Sequence, residues 1–388
     1  MRVKLGDIYQ ITSGGTPKKG NPEYYENGSI PWIKTGDLKG KNLESYETIT
    51  ESGLQNSSAK LFPENTVLLA MYGATIGNCA ILDFEASTNQ ACAAFLPNDL
   101  VLPEYLYYFL LGKKKQFIKD GVGGAQPNIS ATYLKKVNFE LISIEEQIRI
   151  VSVLDKLSGI IDNRAKQLQT LDELIKARFV EMFGDPLLGN NKWPIHAVGI
   201  VAESVDPQPS HRTPPVDENG IPYISIKDCD YKTGTIDFEH ARRVGTHVLE
   251  EHLQRYELHN GDFIIGKIGT IGNPVFVPAR KDYTLSANIV LIQPNKQKVA
   301  PYFLKYSFMS AYMEHQFADA KNSTSQAAFG IQKVRTMKVL NPPLELQYQF
   351  EDFAKQIDKS KVVVQKALDK AQLLFDSLMQ QYFGLNHI

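Results

Sequence analysis

Two long segments of the chain place an apolar residue at every third or fourth position. The first, residues 143–184, contains no proline and only one glycine before its Phe-Gly ending, and the second, residues 342–384, has the same rhythm and the same ending. Steps that alternate between three and four form the apolar stripe of a coiled coil. The pattern therefore predicts two helices of about 40 residues, each about 60 Å long at about 1.5 Å per residue.

The partner of each predicted helix follows from the length of its stripe. Ser143 to Glu146 fits a capping box at the first start, and Pro342-Pro343 suits a first helical turn that needs no N–H. Each stripe is longer than an adjacent small domain could cover, which favours an antiparallel pair that holds two domains at a fixed separation. The alternative is that each helix packs only on its own domain.

The remaining segments alternate between short apolar runs and glycine. "TVLLAMYG" and "DFIIGKIG" are rich in strand-forming residues and each is closed by glycine. "LPEYLYYFLLGKKKQFI" starts with proline and has helical spacing, which predicts a helix. These patterns predict the α+β class, with globular parts of mostly β character.

The sequence also contains an internal repeat. "IPWIKTGD" at residues 30–37 corresponds to "IPYISIKD" at 221–228, and "YGATIGN" at 72–78 corresponds to "KIGTIGN" at 267–273. So many fragments in the same order indicate two copies of one module. The predicted organisation is a domain at 1–142, a helix at 143–184, a linker at 185–192, a domain at 193–341 and a helix at 342–384.

Composition narrows the class of protein. The chain has 388 residues and a net charge of −1, so two or three domains are expected and any anion-binding surface must be local. It contains neither the apolar run of a membrane span nor that of a signal peptide. Its three cysteines are scattered, which is typical of a reducing compartment and predicts a cytoplasmic protein.

Catalytic and metal-binding patterns are weak. "NPPL" at 341–344 approaches the motif of amino-methyltransferases, but Leu344 cannot stack on a base, and helix initiation is favoured. The eight histidines lack metal-ligand spacing, and no Ser/His/Asp grouping stands out. We therefore predict no catalytic residue, metal or cofactor site in this chain.

Local signatures found along the chain match a known family as a set. They are "LGDIYQITSGGTP", "IPWIKTGDL", "YGATIGN", "STNQA", "GGAQPNIS" and "EEQ" at the start of the first long helix. The chain resembles the specificity (S) subunit of type I DNA restriction–modification systems. It departs from the family at Ser143, where proline is usual, and keeps "GTP" and "TNQ" only as "DPQP" and "SAN" in the second copy.

The resemblance implies a non-catalytic subunit that binds double-stranded DNA, each domain reading one half of a bipartite, asymmetric target. It implies helices that set the spacer and dock two methyltransferase (M) subunits, with two motor/nuclease (R) subunits joining them. S-adenosylmethionine, ATP and Mg would then lie on those partners. Two alternatives stay open: a free-standing DNA methyltransferase or nuclease with two DNA-reading domains, and a protein-interaction scaffold with a coiled-coil spacer.

Candidate DNA contacts are basic and polar side chains in glycine-rich segments and at predicted strand ends. Lysines suit phosphates, and Asn, Gln, Thr and Asp suit base edges. For each of them the alternative is a plain β-turn or a surface loop. The candidates are Ser13, Thr16, Lys18, Lys19, Lys34, Thr35, Asp37, Tyr72, Thr75, Asn89, Gln126, Asn128, Lys227, Asp228, Lys267, Thr270, Asn288, Ser325 and Gln326.

Overall fold

A computed structural model describes residues 1–44, 46–123, 127–189, 192–210, 212–231, 233–267, 272–322 and 330–384. The chain divides into two compact units, the first formed by Met1–Ala165 with Lys366–Ile388 and the second by Lys166–Gln365. Each unit thus contains one β-rich region and about half of each long helix. The division into target-recognition domains at 1–142 and 193–341 remains a prediction.

The first unit is built on two four-stranded sheets and a short strand pair. Its strands are β1 (Arg2–Lys4), β2 (Ile11–Ser13), β3 (Ile30–Ile33), β4 (Glu47–Ile49), β5 (Leu61–Phe62), β6 (Val67–Ala70), β7 (Cys79–Ile81), β8 (Ala86–Thr88), β9 (Cys92–Phe95) and β10 (Asn138–Glu140). Its helices are α1 (Leu5–Ile8), α2 (Glu51–Gln55), α3 (Pro103–Gly112), α4 (Lys114–Asp120), α5 (Ala131–Lys135) and the start of α6 (Ile144–Phe183). The sheet orders are β2-β9-β6-β7, β4-β3-β8-β5 and β1-β10, and β3 is parallel to β8.

The second unit repeats this plan. Its strands are β11 (Ile195–Ala197), β12 (Ala202–Val205), β13 (Ile221–Ile224), β14 (Cys229–Asp230), β15 (Thr235–Ile236), β16 (Arg243–Val244), β17 (Phe263–Gly266), β18 (Val275–Phe276), β19 (Thr284–Leu285), β20 (Ile289–Pro294) and β21 (Lys338–Leu340). Its helices are α7 (Val198–Val201), α8 (Thr246–Leu253), α9 (Pro301–Phe308), α10 (Ala311–Asn322), α11 (Ile331–Thr336) and the start of α12 (Leu344–Phe383). The orders β12-β20-β17-β18, β16-β13-β19, β14-β15 and β11-β21 include the same parallel pair, now β13 with β19.

The apolar runs become strands that are buried on both faces. In β6, Val67 and Leu69 belong to the core that faces the helices, whereas Leu68 and Ala70 belong to the core between the two sheets. Successive side chains of a strand point to opposite faces, so a continuous apolar run serves two cores at once. This confirms that the glycine-closed apolar runs predict strands, and it confirms the α+β class.

The two long helices pair with opposite directions, as the contacts within the second unit show. Phe183 lies against Phe350 with ring centroids 5.7 Å apart, and the Lys361 Nζ lies 2.6 Å from Asp172 Oδ1. Residue numbers therefore fall along α6 while they rise along α12. Phe183 also packs on Phe303 of α9, at 4.7 Å between centroids. The prediction of antiparallel pairing is confirmed, and packing of each helix only on its own domain is wrong.

A buried glutamine near the start of each long helix forms hydrogen bonds with the backbone of the segment packed beside it. The Gln147 side chain accepts from the Leu102 N–H at 2.9 Å and donates to the carbonyls of Leu100 and Ile142 at 2.9 and 3.1 Å. Gln347 repeats the arrangement with the Ala300 N–H. Each glutamine is fully buried, and it satisfies backbone groups beside the start of α3 or α9. The repeated Gln positions of the sequence thus have a structural explanation.

Replacing Gln147 by leucine is expected to destabilise the first unit by about 2–4 kcal/mol, since it leaves buried N–H and C=O groups without partners. Hydrogen-exchange mass spectrometry reads peptides of the two units separately and provides the measurement. Gln169→Leu, on the exposed part of α6, is the matched control and is expected to change stability by less than about 0.5 kcal/mol. Equal protection in both variants would contradict the role assigned to Gln147.

Candidate nucleic-acid interface

Four strands of the first unit end at one edge of its two sheets. Ser13 at the end of β2 pairs with Ala93, and Ala70 at the end of β6 pairs with Cys92. In the other sheet the parallel strands β3 and β8 end together at Ile33 and Thr88. Only residues 89–91 join β8 to β9, so they connect the two sheets at this place. We call residues 13–19, 34–37, 71–75, 89–91 and 127–128 the first edge.

The loops of the first edge are joined through their backbones. The Gly15 N–H donates to the Thr88 carbonyl at 2.9 Å, and the indole N–H of Trp32 donates to the Gly15 carbonyl at 3.0 Å. A Cβ atom on Gly14 would lie 2.0 Å from the Thr88 carbonyl oxygen. A Cβ atom on Gly15 would likewise lie 2.3 Å from the Ser58 backbone carbonyl carbon, so close approach of backbones explains both glycines of "SGGTP".

Most sequence-predicted contacts of the first copy meet at this edge. Lys18, Lys19, Tyr72 and Asn128 are exposed, and a backbone bridge joins Tyr72 to Asn128. Half-buried positions are taken by Ser13, Thr16, Lys34, Thr35, Asp37, Thr75 and Asn89. The structure thus brings together residues that are spread over 116 positions of the sequence.

Several of these side chains are already engaged within the edge. The Thr16 hydroxyl bonds Gln90, the Thr75 hydroxyl donates to the Tyr72 carbonyl at 3.0 Å, and Lys34 pairs with Glu47. Lys18 and Lys19, by contrast, have no ion-pair partner in the described ranges. The free lysines are suited to phosphate, and the engaged residues hold the loops in shape.

Asp37 and Asp228 have the same structural task in the two copies. The Asp37 carboxylate accepts the Lys34 N–H at 2.8 Å. The Asp228 carboxylate accepts both the N–H and the hydroxyl of Ser225, at 2.8 and 2.7 Å. Each carboxylate closes the turn that follows the parallel strand, as Asp commonly does. This turn explains why aspartate stands in both copies, while a contact of either residue with DNA stays a prediction.

The second unit forms an equivalent edge from residues 206–210, 225–228, 267 and 286–288, which we call the second edge. The Ser286 N–H donates to the Ile224 carbonyl at 2.8 Å, as the Asn89 N–H donates to that of Ile33 at 3.0 Å. Asn89 therefore corresponds to Ser286, two positions before Asn288. Matching "TNQ" with "SAN" from sequence was wrong in register, because only the strand pairing fixes which loop residues correspond.

Lys227 is exposed at the second edge, whereas Lys267 is buried. The Lys267 Nζ lies 2.7 Å from Asp206 Oδ2, and 5% of the residue is exposed. The Lys267 ammonium therefore ties the strand end of β17 to the loop after β12. Contact of Lys267 with DNA stays a prediction and would require its ammonium to leave Asp206.

A buried polar network behind the second edge was missed by sequence reasoning. His252 Nδ1 lies 2.6 Å from the Thr284 hydroxyl, and His252 Nε2 lies 3.0 Å from Gln208 Oε1. The Tyr223 hydroxyl also donates to Gln208, at 3.2 Å. Burial lowers the pKa of His252, which favours its neutral ring. The network orients Gln208 in "DPQP", and no sequence spacing connects residues so far apart.

Other predicted contacts cannot be placed, because Gln126, Thr270, Ser325 and Gln326 lie outside the described residues. Within the described part of the chain, no group of three or more His, Cys, Asp or Glu residues is arranged to hold a metal ion. Over the same ranges, no helix combines the length and the apolar character that a membrane crossing requires.

The sequence model of the type I restriction modification DNA specificity domain matches residues 1–173 and 212–371. The chain belongs to this family. The two matched segments cover most of both copies of the repeat, so each copy by itself matches the family.

Curated members of the family have clear sequence similarity to parts of the chain. The MjaIX specificity subunit of Methanocaldococcus jannaschii is 34% identical over 188 residues, which are 47% of this chain and 43% of that protein. The EcoR124I/EcoR124II specificity subunit of Escherichia coli is 30% identical over 181 residues, 45% of each chain. This chain thus spans less than half the length of these two relatives in the matched regions. The StySPI specificity subunit of Salmonella potsdam is 20% identical over 407 residues, covering 97% of this chain and 86% of that protein.

Solved structures of the family have the same fold. The S subunit of a type I restriction–modification system from M. genitalium superposes with a TM-score of 0.60 at 14% identity, covering 98% of this chain and 95% of that one. A structure from a study of complex assembly in the type I system gives a TM-score of 0.57 at 16% identity, covering 100% and 98%. At such low identity the agreement is evidence for the fold alone.

Gly14→Ala is expected to disrupt the first edge, because its Cβ would meet the Thr88 backbone at 2.0 Å. A backbone clash of this kind costs about 1–3 kcal/mol or more. The matched control is Gly36→Ala in the same edge, where a Cβ meets nothing within 4 Å. Hydrogen exchange of the loop peptides is expected to increase only in Gly14→Ala, and equal exchange in both variants would contradict the close approach.

Lys267→Met is expected to destabilise the second unit by about 3 kcal/mol, because it removes an ammonium partner from a poorly solvated carboxylate. Urea unfolding followed by hydrogen exchange of second-unit peptides measures the change. The double variant Asp206→Asn with Lys267→Met removes both charges and is expected to recover part of the loss. An unchanged single variant would mean that the ion pair contributes little.

Proposed function

We propose that this chain is the DNA-binding specificity subunit of a type I restriction–modification complex. In this proposal the first edge reads one half of a bipartite target and the second edge reads the other half. The observation that carries it is the occurrence of one strand-end edge twice, with different side chains, in a chain whose two halves match the specificity-domain family.

Differences between the edges support an asymmetric target. The strand registers show that Lys34, Thr35 and Gly36 of the first copy are equivalent to Ser225, Ile226 and Lys227 of the second copy. Asn89 is likewise replaced by Ser286. Base edges present distinct donor and acceptor patterns in the major groove, so two edges with different polar groups select different sequences. Exposed lysines such as Lys18 and Lys19 grip phosphates and supply affinity without sequence preference.

The helix pair sets the spacer between the half-sites and docks two methyltransferase subunits, which two motor/nuclease subunits join. Large apolar side chains stay exposed on α12, and in this proposal the partner subunits cover them. They include Val363 and Leu373, which are 68% and 73% exposed. The partner subunits hold S-adenosylmethionine, ATP and Mg, and the complex works in the cytoplasm.

A free-standing methyltransferase is less well supported. The "NPPL" segment, its best motif, is used to begin α12: the Pro343 carbonyl accepts the Gln347 N–H at 3.2 Å. The Asn341 N–H donates to the Pro194 carbonyl at 2.8 Å, and its side chain lies against His196 and Gln347. These contacts fit a helix start, and we assign this chain no catalytic role.

Asn89→Ala is expected to relax selection in one half of the target by about 1–3 kcal/mol at the contacted base, leaving the other half unchanged. Lys227→Ala, which removes an exposed cation of the second edge, is expected to affect only binding to the other half. Selection from random DNA duplexes by the full chain with its methyltransferase subunits, followed by sequencing, measures both.

Loss of preference in both halves from Asn89→Ala alone would contradict separate reading. Binding of labelled S-adenosylmethionine by the isolated chain would favour the methyltransferase alternative. Complete absence of salt-dependent DNA binding, with and without partners, would favour the protein-interaction scaffold.

A further inference from the structure

A cleft of about 850 Å³ lies in the first unit, and none of its lining residues belongs to the first edge. It is bounded by β1, α3, α4, β10 and the last turn of α12. Five cationic side chains line it against two carboxylates, Asp120 and Glu140. The cations are Arg2, Lys113, Lys115, Lys119 and Lys136.

Within the described ranges none of these five cations makes a salt bridge with a carboxylate. The Lys113 Nζ donates to the Gly384 carbonyl at 3.4 Å. Burial and the neighbouring Arg2 lower the pKa of Lys113. Asp120 accepts instead from the Tyr133 hydroxyl at 2.6 Å. A cleft of one dominant sign with low-dielectric walls concentrates potential and attracts anions.

The corresponding place in the second unit has a different charge. Buried Phe117 and Phe317 align "KKKQF" at 113–117 with "MEHQF" at 313–317. The cavity beside the end of α6 there measures about 240 Å³, and its charged lining consists of Lys176 and Lys338 with Asp185 and Glu314. The excess of positive charge is therefore not required by the fold, which forms the same elements without it.

The cleft lined by these five cations, which we call the basic cleft, is connected to the first edge by the segment that follows α4. Helix α4 ends at Asp120, and two residues later Val122 bridges Asn128, which in turn bridges Tyr72. Lys115 and Lys119 are exposed and lie four residues apart, on one face of α4. A duplex that occupies the first edge thus has cations available beside it, along a helix that leads directly to that edge.

We propose that the basic cleft binds the DNA phosphate backbone outside the first half-site, so that the first unit carries a sequence-independent grip without a counterpart at the equivalent cavity in the described part of the second unit. This inference rests on the proposed function. The contribution of the basic cleft to DNA affinity is the same for every DNA sequence, since phosphates are the same at every base pair. Affinity then depends on DNA that flanks the target on one side only.

The test is the salt dependence of binding, measured for the full chain, alone and with its methyltransferase subunits, on a duplex that carries the selected site and long flanks. Lys115→Ala with Lys119→Ala is expected to reduce the slope of log K against log salt by about two between about 50 and 200 mM, because each phosphate contact contributes about 0.9. The half-site preference is expected to stay as it is. Lys115→Arg with Lys119→Arg is expected to keep the slope.

Lys296→Ala with Lys298→Ala is the matched control, since it removes the same charge from exposed positions outside the cleft, both edges and the two long helices. It is expected to leave the slope unchanged. Trimming the flank beside the first half-site is expected to lower the slope of the unaltered protein, and trimming the other flank is not.

An unchanged slope in the Lys115/Lys119 alanine variant would overturn the inference, and weaker assembly with partner subunits in the same variant would assign the cleft to an acidic protein surface. A slope that responds equally to both flanks would overturn the asymmetry. If the unaltered protein selects no sequence at all, the proposed function fails, which is a different result from either of these.

Discussion

Burial of aromatic side chains at the ends of the long helices is the interaction on which both units depend. Phe383, at the end of α12, lies in the core of the first unit against Tyr105 and Phe109. Phe183, at the end of α6, occupies the same place against Phe303 in the second unit. Fully burying such a ring contributes about 1.5–3 kcal/mol from transfer alone. The core of each unit is thus completed by the end of the long helix that belongs to the other copy of the repeat.

This sharing explains why the compact units do not coincide with the repeats. A repeat consists of a β-rich domain and the helix that follows it, as the sequence indicates. A unit consists of a domain, the start of its own helix and the end of the other helix. Residues 1–142 alone would lack Leu154 of α6 and Phe383 of α12, and the core surfaces that these two side chains cover would be exposed to water. The helices are therefore structural parts of both units as well as the connection between the domains.

How much the sequence could reveal depends on the range of the interaction concerned. The long helices follow from a local period, and the turns at Asp37 and Asp228 from a short motif that occurs twice. The clustering of Ser13, Thr35, Tyr72 and Asn89 requires the order of strands in two sheets, which a local pattern does not contain. Burial of Lys267 could not be predicted either, because its partner Asp206 is 61 residues away. The same limit holds for the basic cleft, whose lysines are visible as a run while Arg2 and Lys136 join them only through β1, β10 and α5.

In the sequence, the second unit is inserted between the two segments of the first, and this order has a consequence for synthesis on the ribosome. The second unit is a continuous stretch, Lys166–Gln365, whereas the first waits for Lys366–Ile388. Domains generally fold as their chains emerge. The part of the protein that is translated first is therefore the last to finish folding, and until Met379 and Phe383 arrive its nascent core has an open apolar face that chaperones would recognise.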